Sequence, residues 1–410
     1  MEHQRRAFYG LRQRVLEGRN VKGLIFDYLS ESVTDAVGLY LGKDYAADCA
    51  AEYARQTLDY LIQADRLKGR DTSEMIKRIR YDAKEEARQM IHVTIGEYMP
   101  HADVDTDEDR KKSAVDFDAA GLVGWAKSHF GVELNLVDLI EAGPTKRKQI
   151  EIRLVEAAEA RIDEADLSGL ERFAVDNYGA TELSKWADNK FGIKITVDEV
   201  NKARQNGDEG VIELIMTQAR KMYERREVEY PVNYAMDMAM QVARQSGFPA
   251  AAERMTGWAN QRFGLNWNLD KLKTTPPQDL KKQLLDASEK FVSEGKLEQD
   301  IAAALGCKTR ESLEAFFKQR FNVTLPDTVL RMEGQEREDA IRARVETLLR
   351  SELLYFERTM LLEILDPSWK DHLYGMDQLK DTINYRAFSQ QDPRIEYKRE
   401  GSKLFVTMLE

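Results

Sequence analysis

Leu183-Ser184-Lys185-Trp186-Ala187-Asp188-Asn189-Lys190-Phe191-Gly192-Ile193-Lys194-Ile195 changes its periodicity at the glycine. Leu183, Trp186 and Phe191 fall on one face of an α-helix, whereas Ile193 and Ile195 alternate with a period of two, as in an extended segment. Gly192 between them suits the left-handed conformation that ends helices. The stretch predicts a helix, a stop and a short extended passage. Asp198 then stands where a new helix would be capped.

The same pattern recurs at Trp125, Trp258 and Phe316, with spacings of 61, 72 and 58 residues along 125, 186, 258 and 316. Leu122, Met255 and Leu313 match Leu183, and Phe130, Phe263 and Phe321 match Phe191. Gly131, Gly264 and Asn322 supply the stop, and Asp138, Asp270 and Asp327 the expected N-caps. Leu139, Val200, Leu272 and Leu330 follow, then Leu154, Ile215 and Val345, with Ala287 departing in the third copy. Four copies agreeing in residue type and conformational role constitute an internal repeat. Aromatics repeated together with their cap and following helix start read as repeat core rather than a ligand box.

Composition places this repeat in a helical protein. The chain has 410 residues, 42% hydrophobic and 32% charged, with 9 prolines and a mean hydropathy of -0.56. No run of about 18 apolar residues suggests a membrane span, and no secretory leader is evident. A cytoplasmic location is expected. The 61 basic and 72 acidic side chains give a net charge of -11, which disfavours general attraction to nucleic acid. Local basic clusters stand at Arg5, Arg6, Arg12, Arg14 and Arg19, and at Arg394, Lys398, Arg399 and Lys403. Cys49 and Cys307 lack metal-binding spacing and read as buried structural thiols.

Amphipathic helices are predicted over 24–41 and 73–98. The sequence divides into a helical segment over 1–100, a charged linker over 101–118, four repeats over 119–340 and a long helix with a helical hairpin over 341–410. From Ile341, the residues Val345, Leu349, Leu353, Phe356, Met360 and Ile364 form one stripe, predicting an unbroken helix. Pro367 after Asp366 reads as a restart or kink, and Asp392-Pro393 as a second cap and first turn. The fold class is mainly α: a multi-helix scaffold, four repeated helix–short extended–helix units and a C-terminal helical hairpin.

Leu365-Asp366-Pro367-Ser368-Trp369-Lys370-Asp371-His372-Leu373, then Met376-Asp377-Gln378-Leu379, Ile383-Asn384-Tyr385-Arg386-Ala387-Phe388-Ser389-Gln390-Gln391-Asp392-Pro393 and Glu396-Tyr397-Lys398-Arg399-Glu400 resemble the two-helix finger of the SecA preprotein translocase family. Pro367-Ser368 stands where the family usually has Ser-Leu. Gln4-Arg5-Arg6-Ala7-Phe8-Tyr9 is similar to part of the family's long scaffold helix, and the fourth repeat to the core of its helical wing. The resemblance is close over the C-terminal part, fainter at the start, and gives the additional repeats no role.

The resemblance implies a segment that follows an ATP-driven motor in a longer protein, with ATP and magnesium belonging to that motor. It implies partners: unfolded preprotein, the SecY channel complex, the protein's own motor domains, and peripheral contact with the inner membrane. It implies that the hairpin tip, Tyr385, Arg386 and Phe388, contacts the polypeptide, and that Lys398 and Arg399 face the channel or motor. The chain itself has no GxxxxGK[ST], GxSxG or HExxH motif, and His3, His92, His101, His129 and His372 are scattered. No catalytic, cofactor-binding or metal-binding residue is expected, and no nucleic-acid partner. The competing reading is a freestanding helical-repeat interaction module without a translocation role.

Overall fold

The computed structural model describes residues 2–99, 118–142, 146–383 and 392–409, and among them every regular element is helical. Two compact units result, one formed by Thr34–Leu214 and the other by Met1–Val33 with Ile215–Glu410. Their boundaries fall inside helices: α1 is Glu2–Glu17, and α2, Val21–Tyr40, contains the first boundary. This division differs from the segments 1–100, 119–340 and 341–410. The first two repeats pack with helices that precede residue 100, while the last two pack within the other unit. The expected linker over 101–118 lies outside the described residues except for Asp118, whose carboxylate accepts from the Gly121 amide at 2.8 Å.

In the unit formed by 34–214, α3 is Tyr45–Leu58 and α4 is Thr72–Tyr98. The first repeat forms α5 (Ala119–Phe130), α6 (Leu136–Ala142) and α7 (Arg147–Glu164). The second forms α8 (Tyr178–Phe191) and α9 (Val197–Arg204), leading into α10 (Asp208–Ser246), which contains the second unit boundary. Asp71 caps α4 by accepting from the Glu74 amide at 2.8 Å. Met75, Ile79, Ala83, Ala87, Ile91 and Ile95, each four residues apart, are all buried on one face. They share a core with Ile150, Leu154, Ala158 and Ile162 of α7. Along the rim, Lys84 bonds Asp163, Arg88 bonds Glu159 and His92 bonds Glu151, so numbers rise on α4 as they fall on α7. The pair is antiparallel, and these exposed contacts set its register more than its stability.

The other unit continues with the third repeat, α11 (Phe248–Phe263), α12 (Leu269–Thr274) and α13 (Pro277–Ser293), then α14 (Lys296–Gly306). The fourth repeat gives α15 (Arg310–Phe321), α16 (Asp327–Leu330) and α17 (Gly334–Leu349). The chain ends in α18 (Ser351–Thr382) and α19 (Pro393–Leu409), an antiparallel hairpin that packs on α1. The third and fourth repeats bury cores around Ala259 and Phe317, both fully inaccessible.

Four expectations are corrected. The stripe from Ile341 is not one helix, because Arg350 leaves helical geometry at φ -136, ψ 33 and separates α17 from α18. Pro367 starts no new helix: α18 runs through it. A proline inside a helix costs about 3 kcal/mol, and burial of Leu365 and Trp369 on either side offsets that. Asp366, which would have capped a restart, instead accepts from Arg12 Nε at 2.7 Å and Nη2 at 2.9 Å. The helices after each stop begin earlier than Asp138, Asp198 and Asp270, at Leu136, Val197 and Leu269. Thr196 caps α9 with a capping box and Asn268 caps α12, so those aspartates lie in first turns. There they favour the positive end of the helix dipole. Pro326 holds the corresponding place before Asp327. Cys49 and Cys307 are half-buried free thiols rather than buried ones.

Candidate functional site

The hairpin is the feature for which the sequence offered a function, and its base is built from both chain ends. Phe8 of α1 is 1% exposed and stacks on Trp369, ring centroids 4.4 Å apart and planes 6° from parallel. Phe405 of α19 meets Trp369 edge-on, and His372 packs against both rings. Gln4 Nε2 donates to the Gly401 carbonyl at 2.8 Å. A Cβ on Gly401 would lie 2.8 Å from Met376 Cε, the movable end of that side chain, so α19 sits close against α18 at this point. Further out, Met376, Leu379 and Ile383 are buried with Tyr397 against them. Asp392 caps α19, its carboxylate accepting from the Arg394 amide at 2.8 Å.

Two electrostatic details accompany this packing. The Arg12 guanidinium beside Asp366 holds its carboxyl below the usual range. Burial pushes the His372 imidazole below its ordinary value, which keeps it neutral among aromatic rings.

Tyr385, Arg386 and Phe388 lie outside the described residues. Lys398 and Arg399 are exposed on α19, with Arg399 paired to the buried carboxylate of Glu396. Sequence reading did not find Phe8 as the partner of Trp369, nor the close approach at Gly401. A glycine within an otherwise helical segment, Glu400-Gly401-Ser402, was the available signal.

The four repeats share a geometry. Trp125 meets Phe130 at 5.1 Å and 80°, Trp186 meets Phe191 at 5.2 Å and 89°, Trp258 meets Phe263 at 5.4 Å and 88°, and Phe316 meets Phe321 at 5.9 Å and 82°. Each is an edge-to-face pair, the arrangement ring quadrupoles favour. Gly131, Gly192, Gly264 and Asn322 all adopt the left-handed conformation, at φ 66°, 67°, 67° and 55°. The leading aromatic of each pair is half-buried, and the following residue, Ala126, Ala187, Ala259 or Phe317, is fully buried. The free edge meets a longer helix: Trp125 lies near Tyr98, Trp186 near Tyr40, and Trp258 donates to Glu352 at 2.7 Å. In the first three repeats the leading position therefore serves docking as well as core.

A family model described as the SecA Wing and Scaffold domain matches residues 70–410.

The chain belongs to the SecA wing and scaffold family.

Among SecA relatives, protein translocase subunit SecA 1 of Rhodopirellula baltica is 26% identical over 430 residues, covering 100% of this chain and 33% of the relative. Protein translocase subunit SecA of Methylococcus capsulatus is 39% identical over 84 residues, 20% of this chain and 9% of the relative. That of Helicobacter pylori is 27% identical over 196 residues, 47% of this chain and 18% of the relative. The chain thus spans a third or less of these SecA subunits. No solved structure matches it. Among the described residues, no helix is long and apolar enough to cross a membrane, and no acidic, histidine or cysteine group could hold a metal ion.

Proposed function

We propose that this segment supplies the scaffold, wing and finger of a SecA-type machine that moves unfolded preproteins through the SecY channel, with the hairpin tip contacting the moving polypeptide. The observation carrying this reading is the clamped hairpin base, in which α1, α18 and α19 interlock through Phe8, Trp369 and Phe405. A finger anchored in this way can transmit force, because densely packed interiors deform little. Phe388 at the tip would grip many sequences, since apolar contact is non-directional. Tyr385 and Arg386 would flank that contact, and Lys398 and Arg399 would face the channel or the motor domains. ATP hydrolysis belongs in this reading to the motor, whose movements the segment relays at the cytoplasmic face of the inner membrane. The chain binds neither cofactor nor nucleic acid in this proposal.

Phe388→Ala in the intact translocase tests the assignment. Translocation should fall while ATPase activity and the fold persist. Undiminished translocation would remove the tip from the mechanism.

A further inference from the structure

Within the unit formed by 1–33 and 215–410, the described residues around Phe317 and around Trp369 form two distinct apolar clusters. The core around Phe317 reaches Leu349, whereas the core around Trp369 begins at Leu361. Between these points the buried side chains on 350–357 are Arg350, Glu352, Leu353, Leu354 and Glu357, three of the five ionisable. A buried charge network therefore sits at the junction beside Leu353 and Leu354.

Its hub is Arg350, 4% exposed, at the break between α17 and α18. Nη2 donates to both Glu357 oxygens, at 2.9 and 3.1 Å, and to the Tyr223 hydroxyl at 2.7 Å. Glu227 lies 3.6 Å from the same nitrogen and also accepts from Lys22 at 2.9 Å. Beside the hub, Glu352 accepts from Arg262 at 2.9 Å and from the Trp258 indole at 2.7 Å, which ties the third repeat to the first turn of α18. A cavity of about 140 Å³ opens among Arg350, Arg262, Glu227 and Leu353. Burial raises the carboxyls of Glu346 and Glu357 above their ordinary range, the mark of a costly charged site.

A buried ion network stabilises less than well-packed apolar residues of the same volume, yet losing one member leaves an uncompensated charge. It is a poor choice for simple cohesion and a suitable one for a joint that must hold one geometry and still let go. We propose that Arg350 is a releasable latch at a hinge, fixing the angle at which the wing repeats of residues 248–349 leave scaffold helix α18. The fork of Arg350 grips α10 and α18 together, the Arg262–Glu352 pair grips α11, and the non-helical backbone at residue 350 is the pivot.

The test uses the full chain with Cys49→Ser and Cys307→Ala, and spin labels at the exposed positions Gln319 and Tyr374. Pulsed dipolar spectroscopy should give one distance population for otherwise unaltered protein. Arg350→Met should add a second population, Glu352→Gln should do so to a smaller extent, and Arg350→Lys should restore part of the original distribution. A purely structural role would lower the melting temperature without moving the distance. If R350M loses helical content, E352Q decides. Folded E352Q with an unchanged single population would overturn the latch, as would folded R350M with one.

Discussion

Removing the Phe8–Trp369 stack should reveal how strongly the two chain ends depend on each other. Both rings are buried, at 1% and 6% exposure, in a cluster with Val15 and Leu365. Their centroids lie 4.4 Å apart, more than the about 3.5 Å between touching parallel planes, so the rings are offset, the favoured stacking geometry. Truncating either to alanine removes its transfer energy and leaves a cavity, about 3 to 5 kcal/mol for each. The direct ring contact is worth about 0.5 to 1.5 kcal/mol beyond area burial. The double variant should therefore lose less than the two single losses together, by at least about 0.5 kcal/mol. Urea unfolding followed by far-ultraviolet ellipticity measures all four proteins, fitted to the transition of the unit that holds both rings. Single losses under about 1 kcal/mol, or additivity within about 0.3 kcal/mol, would show that the hairpin is not anchored through this stack.

Gly192→Ala places a Cβ at φ 67° and should cost about 1 kcal/mol. Asn322→Gly at φ 55° should be neutral or slightly stabilising, and equal melting shifts for the two variants would contradict the shared stop. His372 has a lowered folded pKa, so the unfolded chain takes up its proton first as pH falls. Its contribution is therefore complete above the unfolded value of about 6.5 and is lost as pH falls through the folded value. His372→Gln should flatten the stability profile below that pH, and an unchanged slope would place the acid sensitivity elsewhere.

Periodicity read well wherever each residue's role was local. The stops at Gly131, Gly192, Gly264 and Asn322 were legible because positive φ restricts the residue choice. The six-residue apolar stripe of α4 was legible because burial on one helix face imposes a spacing of four. Local reading failed where capping signals compete. Asp198 looked like a cap, but Thr196 with Glu199 two places nearer the stop forms the reciprocal box. It failed again at Pro367, whose local preference for a helix start was overridden by burial on both sides.

The finger's family and its hairpin were visible in the residues themselves, and so was the fourfold repeat. Neither required knowledge of what touched what, since each depends on conformational preferences a few residues long. The tertiary structure decided what those elements pack against: Phe8 upon Trp369, Trp186 beside Tyr40, and four carboxylates gathered near Arg350 at the break between α17 and α18. Such contacts join residues far apart in the chain. Burial and charge compensation select them collectively, and no periodicity along the sequence records that choice.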